Sequence, residues 1–271
     1  MTKLDSNAAW KEASGQVSAN RDVFLALAGV FFVVPSLALS VIGGEPAVVP
    51  GMQREAMMAA ISAFYADAWW LILASAVLQV VGVLAILTLM RDRSRPTVGE
   101  AIRNALSGLL PYLGAQLLFA MVLGLVGGLA IGLAAAVFPA LAPVGALLLF
   151  IVAMFFVVRL ILVAPVIAVE GQRNPLVAIK RSWTLTKGQF WRIFGFLALV
   201  MILFLVVLGV IMLVVGVVLA LFASGETQRL LAAVVSSVLT AIAVTYVIGI
   251  IAAIHRQLAG PGTAGLAETF A

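Results

Sequence analysis

The chain of 271 residues is 64% hydrophobic and 10% charged, where an ordinary soluble domain is about half apolar and a quarter charged, so a water-soluble fold of this size could not hide its apolar surface. It contains no cysteine, which excludes disulfides, thiolate nucleophiles and cysteine-ligated zinc. A formal charge of +5 would suit a nucleic-acid partner in a soluble protein, but most of the basic residues flank apolar runs, where orientation in a bilayer accounts for them, and no nucleic-acid partner is expected.

The apolar residues form runs long enough to cross about 30 Å of hydrocarbon as helices. An all-α integral membrane protein with about six transmembrane helices is predicted. The first span covers about Val23 to Ile42, entered from Asn20-Arg21-Asp22 and left at Gly43-Gly44-Glu45-Pro46. Ala38 and Ser40 have the small side chains of a signal-peptide cleavage site, but the run is too long and its polar leader too extended, so a retained span is expected. The second span, Trp69 to Met90, stops at Arg91-Asp92-Arg93-Ser94-Arg95-Pro96, whose arginines read as a cytoplasmic anchor. Spans at Leu109 to Phe138 and Leu141 to Val169 follow, separated by a tight turn at Pro139-Ala140. In the first of these, Gly124, Gly128 and Gly132 recur every fourth residue, and such a row predicts a close helix-packing face. The last two spans run from Phe194 to Phe222 and from Leu230 to Ile254. Residues 1–258 thus read as a single polytopic membrane domain, and residues 259–271 as a disordered tail.

Sorted by side, only Arg54 and Arg229 fall opposite the other basic residues. The excess of Lys and Arg on one side predicts that both termini are cytoplasmic.

Three segments precede odd-numbered spans and share one pattern of Ala, large apolar, basic, polar, small. They are Ala9-Trp10-Lys11-Glu12-Ala13, Ala101-Ile102-Arg103-Asn104-Ala105 and Ala178-Ile179-Lys180-Arg181-Ser182. They predict three repeated units, each a cytoplasmic interfacial helix leading into a two-span hairpin, related by an axis near the membrane normal.

The fourth loop carries the most information. Asn174 suits an N-cap and Pro175 the first helical position, so a helix is predicted to start there and to end at Gly188. On a helical wheel Leu176, Ile179, Trp183 and Thr186 share one side, and Lys180, Arg181, Thr184 and Lys187 the other. An amphipathic helix in the headgroup layer follows, with Trp183 and Trp191 at indole depth. A plain topological anchor remains open beside a specific lipid or partner site.

From Pro165 to Ile193 the sequence carries the pattern P-x-x-x-x-E-G-x-x-x-P-x-x-A-I-x-R-S-W-x-L-T-x-G-x-x-W-R-I. This resembles the membrane domain fused to some bacterial glycerophosphoryl diester phosphodiesterases, and the related YciC-like membrane proteins. The other spans match mainly in hydropathy. The resemblance implies a six-span protein of the bacterial inner membrane. In the fused members hydrolysis belongs to a separate soluble barrel that this sequence lacks, so the activity in the family's name is not carried over.

No pairing of acid with base or nucleophile with base is visible, and no catalytic residue, metal site or cofactor is expected. The single histidine, His255, reads as an interfacial flanking residue. Arg159 lies inside the fourth span, where lipid penalises charge; it could snorkel, pair with Glu170, or line a path. The candidate lipid-binding or partner-binding residues are Arg159, Glu170, Lys180, Arg181, Trp183, Lys187, Trp191 and Arg192. No acidic residue falls inside a predicted span, which disfavours a proton-coupled transporter. The favoured reading is a noncatalytic scaffold or lipid-handling accessory whose basic face engages anionic phospholipid or a membrane-protein partner. A transporter or flippase of a lipid-like or small substrate is the alternative.

Overall fold

The computed structural model describes residues 3–44, 46, 49, 51–91, 96–138 and 142–260. The Arg93 and Arg95 anchor, the Pro139-Ala140 turn and the tail beyond Gly260 lie outside them. Among the described residues six helices are long and apolar enough to cross a membrane, and the chain is an all-α, multi-pass membrane protein.

A short helix, α1 (Ser6–Ala19), opens the fold and is capped by Asp5, whose carboxylate accepts from the amides of Asn7 and Ala8 at 2.9 and 3.0 Å. The first span, Arg21–Gly43, consists of α2 (Arg21–Ala28) and α3 (Val34–Ala38), with π-helical turns at Gly29–Val33 and Leu39–Gly43. Pro35 accounts for the first turn, since it has no N–H for the preceding turn and its ring crowds that turn's carbonyl. The second and third spans are α4 (Arg54–Leu89) and α5 (Val98–Val137). The fourth is broken into α6 (Ala142–Leu160) and α7 (Val163–Ala168). An amphipathic helix, α8 (Pro175–Thr186), precedes the fifth and sixth spans, α9 (Phe190–Phe222) and α10 (Gly225–Ala259).

The tight packing lies at one end of the bundle, where the even-numbered spans meet. Leu84, Ile86 and Leu87 of α4, Val166 and Ile167 of α7, and Ile250 and Ile254 of α10 are buried together. Around them α1 lies along α10, the start of α5 against α4 and α7, and α8 against α6 and α7. Toward the far end the packing thins, and the apolar windows of α5 and α9 are only 6% and 0% buried within the chain. In a bilayer those exposed Leu and Val side chains face acyl tails and incur no hydrophobic penalty.

The three repeated segments all lie at this core end. Their small residues Ala9, Ala13, Ala101, Ala105, Ala178 and Ser182 are at most 1% exposed. Residues four apart share a helix face, so the repeated feature is a pair of small side chains that lets each segment approach the core closely.

Three expectations need correction. The second segment is not a separate interfacial helix. The N-cap Thr97 and its capping-box partner Glu100 start α5, which continues through Ala101–Ala105 to Val137. Nothing between Ala105 and Leu109 stops it, whereas Gly188 at φ 76° follows α8. The face assignment of α8 also shifts: Ala178, Ser182, Leu185 and Thr186 are buried, while Leu176 is 64% exposed. The wheel ranked residues by hydrophobicity, but close packing selected the small Ala178, Ser182 and Thr186 together with Leu185. Finally, Gly124, Gly128 and Gly132 face open space within the chain, and the close approach is made by Gly127, where an added Cβ would lie 2.5 Å from Leu149, and by Gly145 near Ile131. Each residue turns the helix by about 100°, so the glycine next to Gly128 lies on a different face.

Candidate functional site

The core end carries a polar layer, and the polar position of each repeated segment takes part in it. In the first segment Glu12 pairs with Arg256 at 2.6 Å, and Arg256 also donates to the Met90 carbonyl at 2.7 Å. The second segment supplies Asn104, whose amide donates to Thr88 Oγ1 and the Ala168 carbonyl, both at 3.2 Å, and accepts from Arg173. In the third segment Arg181 donates to Glu170 Oε2 at 3.1 Å. Each segment is therefore tied to the ends of spans rather than to its own helix.

Glu170 is the hub of the third contact, because its other oxygen lies 3.0 Å from Nε2 of the buried His255. Burial pushes the Glu170 carboxyl up, but hydrogen bonds from His255 and Arg181, with their charges, outweigh it and hold the pKa below its ordinary value. The pair with Glu170, one of the alternatives open to Arg159 from the sequence, does not form, since the Glu170 carboxylate is taken by Arg181 and His255. His255, read from sequence as a flanking residue, instead joins the fourth and sixth spans. Its neighbour Arg256 faces Glu12, and a lone histidine beside an arginine gives no sequence signal of a partner 85 positions away.

Arg159 sits in an aromatic nest. Its guanidinium lies 5.0 Å from the Trp183 ring centroid and 5.2 Å from that of Phe155, contacts that favour a cation over a ring face. Its carbonyl accepts from Ser182 Oγ at 2.7 Å, fixing α8 to α6. The Nε and Nη1 atoms are buried and make no hydrogen bond among the described residues. Phe155 also packs on Phe190, which contacts Trp191 and Phe194. Trp183 is thus engaged inside this cluster, while Trp191 remains 77% exposed. Lys180, Lys187 and Arg192 are exposed at the same end, whereas Arg181 is committed to Glu170.

Beneath α8, residues of α4, α5, α6, α7, α9 and α10 line a laterally open cavity of about 800 Å³. Its wall is apolar except for Tyr112, Gln116 and Thr240. Gln116 Nε2 donates to Tyr112 Oη at 2.8 Å. Neither residue was among the sequence candidates, although two hydrogen-bonding residues four apart in an apolar run were a visible signal.

Residues 139–259 match the family model for the membrane domain of glycerophosphoryl diester phosphodiesterase. The matched region takes in α6 to α10 and includes the Pro165 to Ile193 pattern. Comparison with curated proteins and with solved structures gave no match.

Proposed function

Starting from the relation of residues 139–259 to that membrane domain, we propose that this chain is a noncatalytic, lipid-handling protein of the bacterial inner membrane, with both termini cytoplasmic, whose basic core end engages anionic phospholipid headgroups. One observation carries the reading: Lys180, Lys187 and Arg192 are exposed beside the exposed Trp191 and Leu176, at the same end as the exposed Lys11 and Arg103. An apolar and aromatic fringe next to unshielded cations suits the headgroup boundary, where indole and ammonium each find their preferred depth. Arg181 is a positioning residue, since Glu170 holds its guanidinium.

Each basic residue near an anionic leaflet contributes about 1 kcal/mol before salt screening. Removing Lys187 and Arg192 together should therefore weaken anionic-lipid retention by more than tenfold at low salt. The test is mass spectrometry of the lipids that copurify in mild detergent. Lys187→Gln with Arg192→Gln should lose phosphatidylglycerol and cardiolipin relative to neutral lipid, while Arg54→Gln with Arg229→Gln should not. Equal retention by both double variants would remove the headgroup reading.

A further inference from the structure

We propose that the cavity under α8 holds one acyl chain of a bilayer glycerophospholipid, with the ester region of that lipid at the Tyr112–Gln116 pair. The inference rests on the lipid-handling reading and adds a site and a ligand class to it. The wall joins five spans: Val83 comes from α4, Tyr112 and Gln116 from α5, Leu160 from α6, Leu208 from α9 and Thr240 from α10. At about 800 Å³ the space lies within the range of small-molecule sites. It is poorly suited to water, which needs two to four polar partners to be held.

Lipid is the occupant that the surroundings supply. On the α9 side the lining residues Met201, Ile202 and Leu205 remain 60%, 63% and 74% exposed, so the cavity opens sideways along α9 into the bilayer. At the core end it reaches Ile179 of α8, the residue before the exposed Lys180. A chain entering along α9 therefore carries its phosphate toward a basic helix.

The polar pair says where the chain's head stops. Tyr112 lies two helical turns along α5 from Asn104, about 12 Å at 1.5 Å per residue, and Asn104 marks the polar layer through its bond to Thr88. With Gln116 donating to the phenolic oxygen, the Tyr112 O–H and the second Gln116 N–H are left to donate. An isolated donor in hydrocarbon is costly. An ester carbonyl, an acceptor without a proton of its own, satisfies either donor at this depth, and the aliphatic tail then runs past Leu208 toward Thr240.

The experiment reconstitutes the full chain in vesicles of phosphatidylcholine and phosphatidylglycerol containing a trace of phosphatidylglycerol with a diazirine midway along one acyl chain. After photolysis, labelled peptides are mapped. Label should concentrate on lining residues such as Phe119, Leu208 and Thr240 over the outward Leu221 and Phe222. Ala115→Phe, which fills the wall beside Tyr112, should reduce cavity label more than tenfold and leave outward label unchanged. Because Ala115→Phe could disturb folding, the near-isosteric Tyr112→Phe provides a second reading and should reduce cavity label about fivefold through one lost hydrogen bond. Label spread evenly over inward and outward faces, or unchanged in both variants, would overturn the acyl-chain site. The two proposals separate cleanly. Concentrated cavity label in a protein whose Lys187→Gln, Arg192→Gln variant keeps its anionic lipids sustains this site and removes the headgroup reading; even label with selective loss in that variant does the reverse.

Discussion

At the scale of single residues, Glu170 is the position where charge and packing are most closely coupled. Its carboxylate joins Arg181 on α8 to His255 on α10. Because the folded pKa is lowered, the carboxylate's contribution to stability is present above the unfolded value of 4.5 and is lost as pH falls through the folded value. The difference in unfolding midpoint between the parent chain and Glu170→Gln, measured in detergent, should therefore be constant above about pH 6 and shrink as pH drops below about 4.5. At neutral pH the substitution should cost about 1 to 3 kcal/mol, because it removes the negative charge and one of the two acceptor oxygens that serve Arg181 and the buried His255. A gap that stays constant down to the acid limit would show that the carboxylate charge contributes nothing.

At the scale of elements, the repeated segments work through their small residues. Ala9, Ala101 and Ala178 are each 0% exposed, so a larger side chain at any of them must displace a span end. Ala178→Leu and Ala101→Leu should each destabilise by about 1 to 3 kcal/mol, the usual range for overpacking. Lys180→Gln and Arg103→Gln, each two positions away and exposed, should stay within about 0.5 kcal/mol. Thermal unfolding of the four variants separates a packing motif from a merely basic one, and equal small effects in all four would reject the packing motif. Gly82 plays the same part between the first two spans, where an added Cβ would come within 2.6 Å of the Phe31 Cβ.

At the scale of the molecule, a tightly packed end joins a loose, lipid-facing one, and the cavity lies where the two meet. Such a gradient suits a protein anchored at one leaflet whose spans leave lateral openings in the other region. The chain has no cysteine, so single cysteines placed at Ser6, Lys187, Gly51 and Glu226 report their own side. Ser6 and Lys187 should react together with an impermeant maleimide from one side of the membrane, and Gly51 and Glu226 from the other, with the first pair cytoplasmic under the charge bias. Reaction of Glu226→Cys with Lys187→Cys on one side would refute six crossings.

The six-helix membrane class was legible in the residues themselves, because a run of some twenty apolar side chains has one low-energy solution in lipid, a helix with its backbone bonds satisfied internally. The ends of α8 were legible for a similar local reason: Asn174 accepts from the Leu176 and Val177 amides, Pro175 sits in the first turn, and Gly188 adopts a positive φ just beyond it. The small residues of the three segments could be seen as a repeat, but their burial could not. What tertiary structure alone decided is which residues meet. Glu170 finds His255 across 85 positions rather than the nearer Arg159, and Gly127 rather than its neighbour Gly128 meets the opposing helix. In the bilayer nearly every outward position is apolar, so hydrophobicity no longer marks the inside of a helix, and the pairing is left to shape and to a few polar groups whose partners lie far away in sequence.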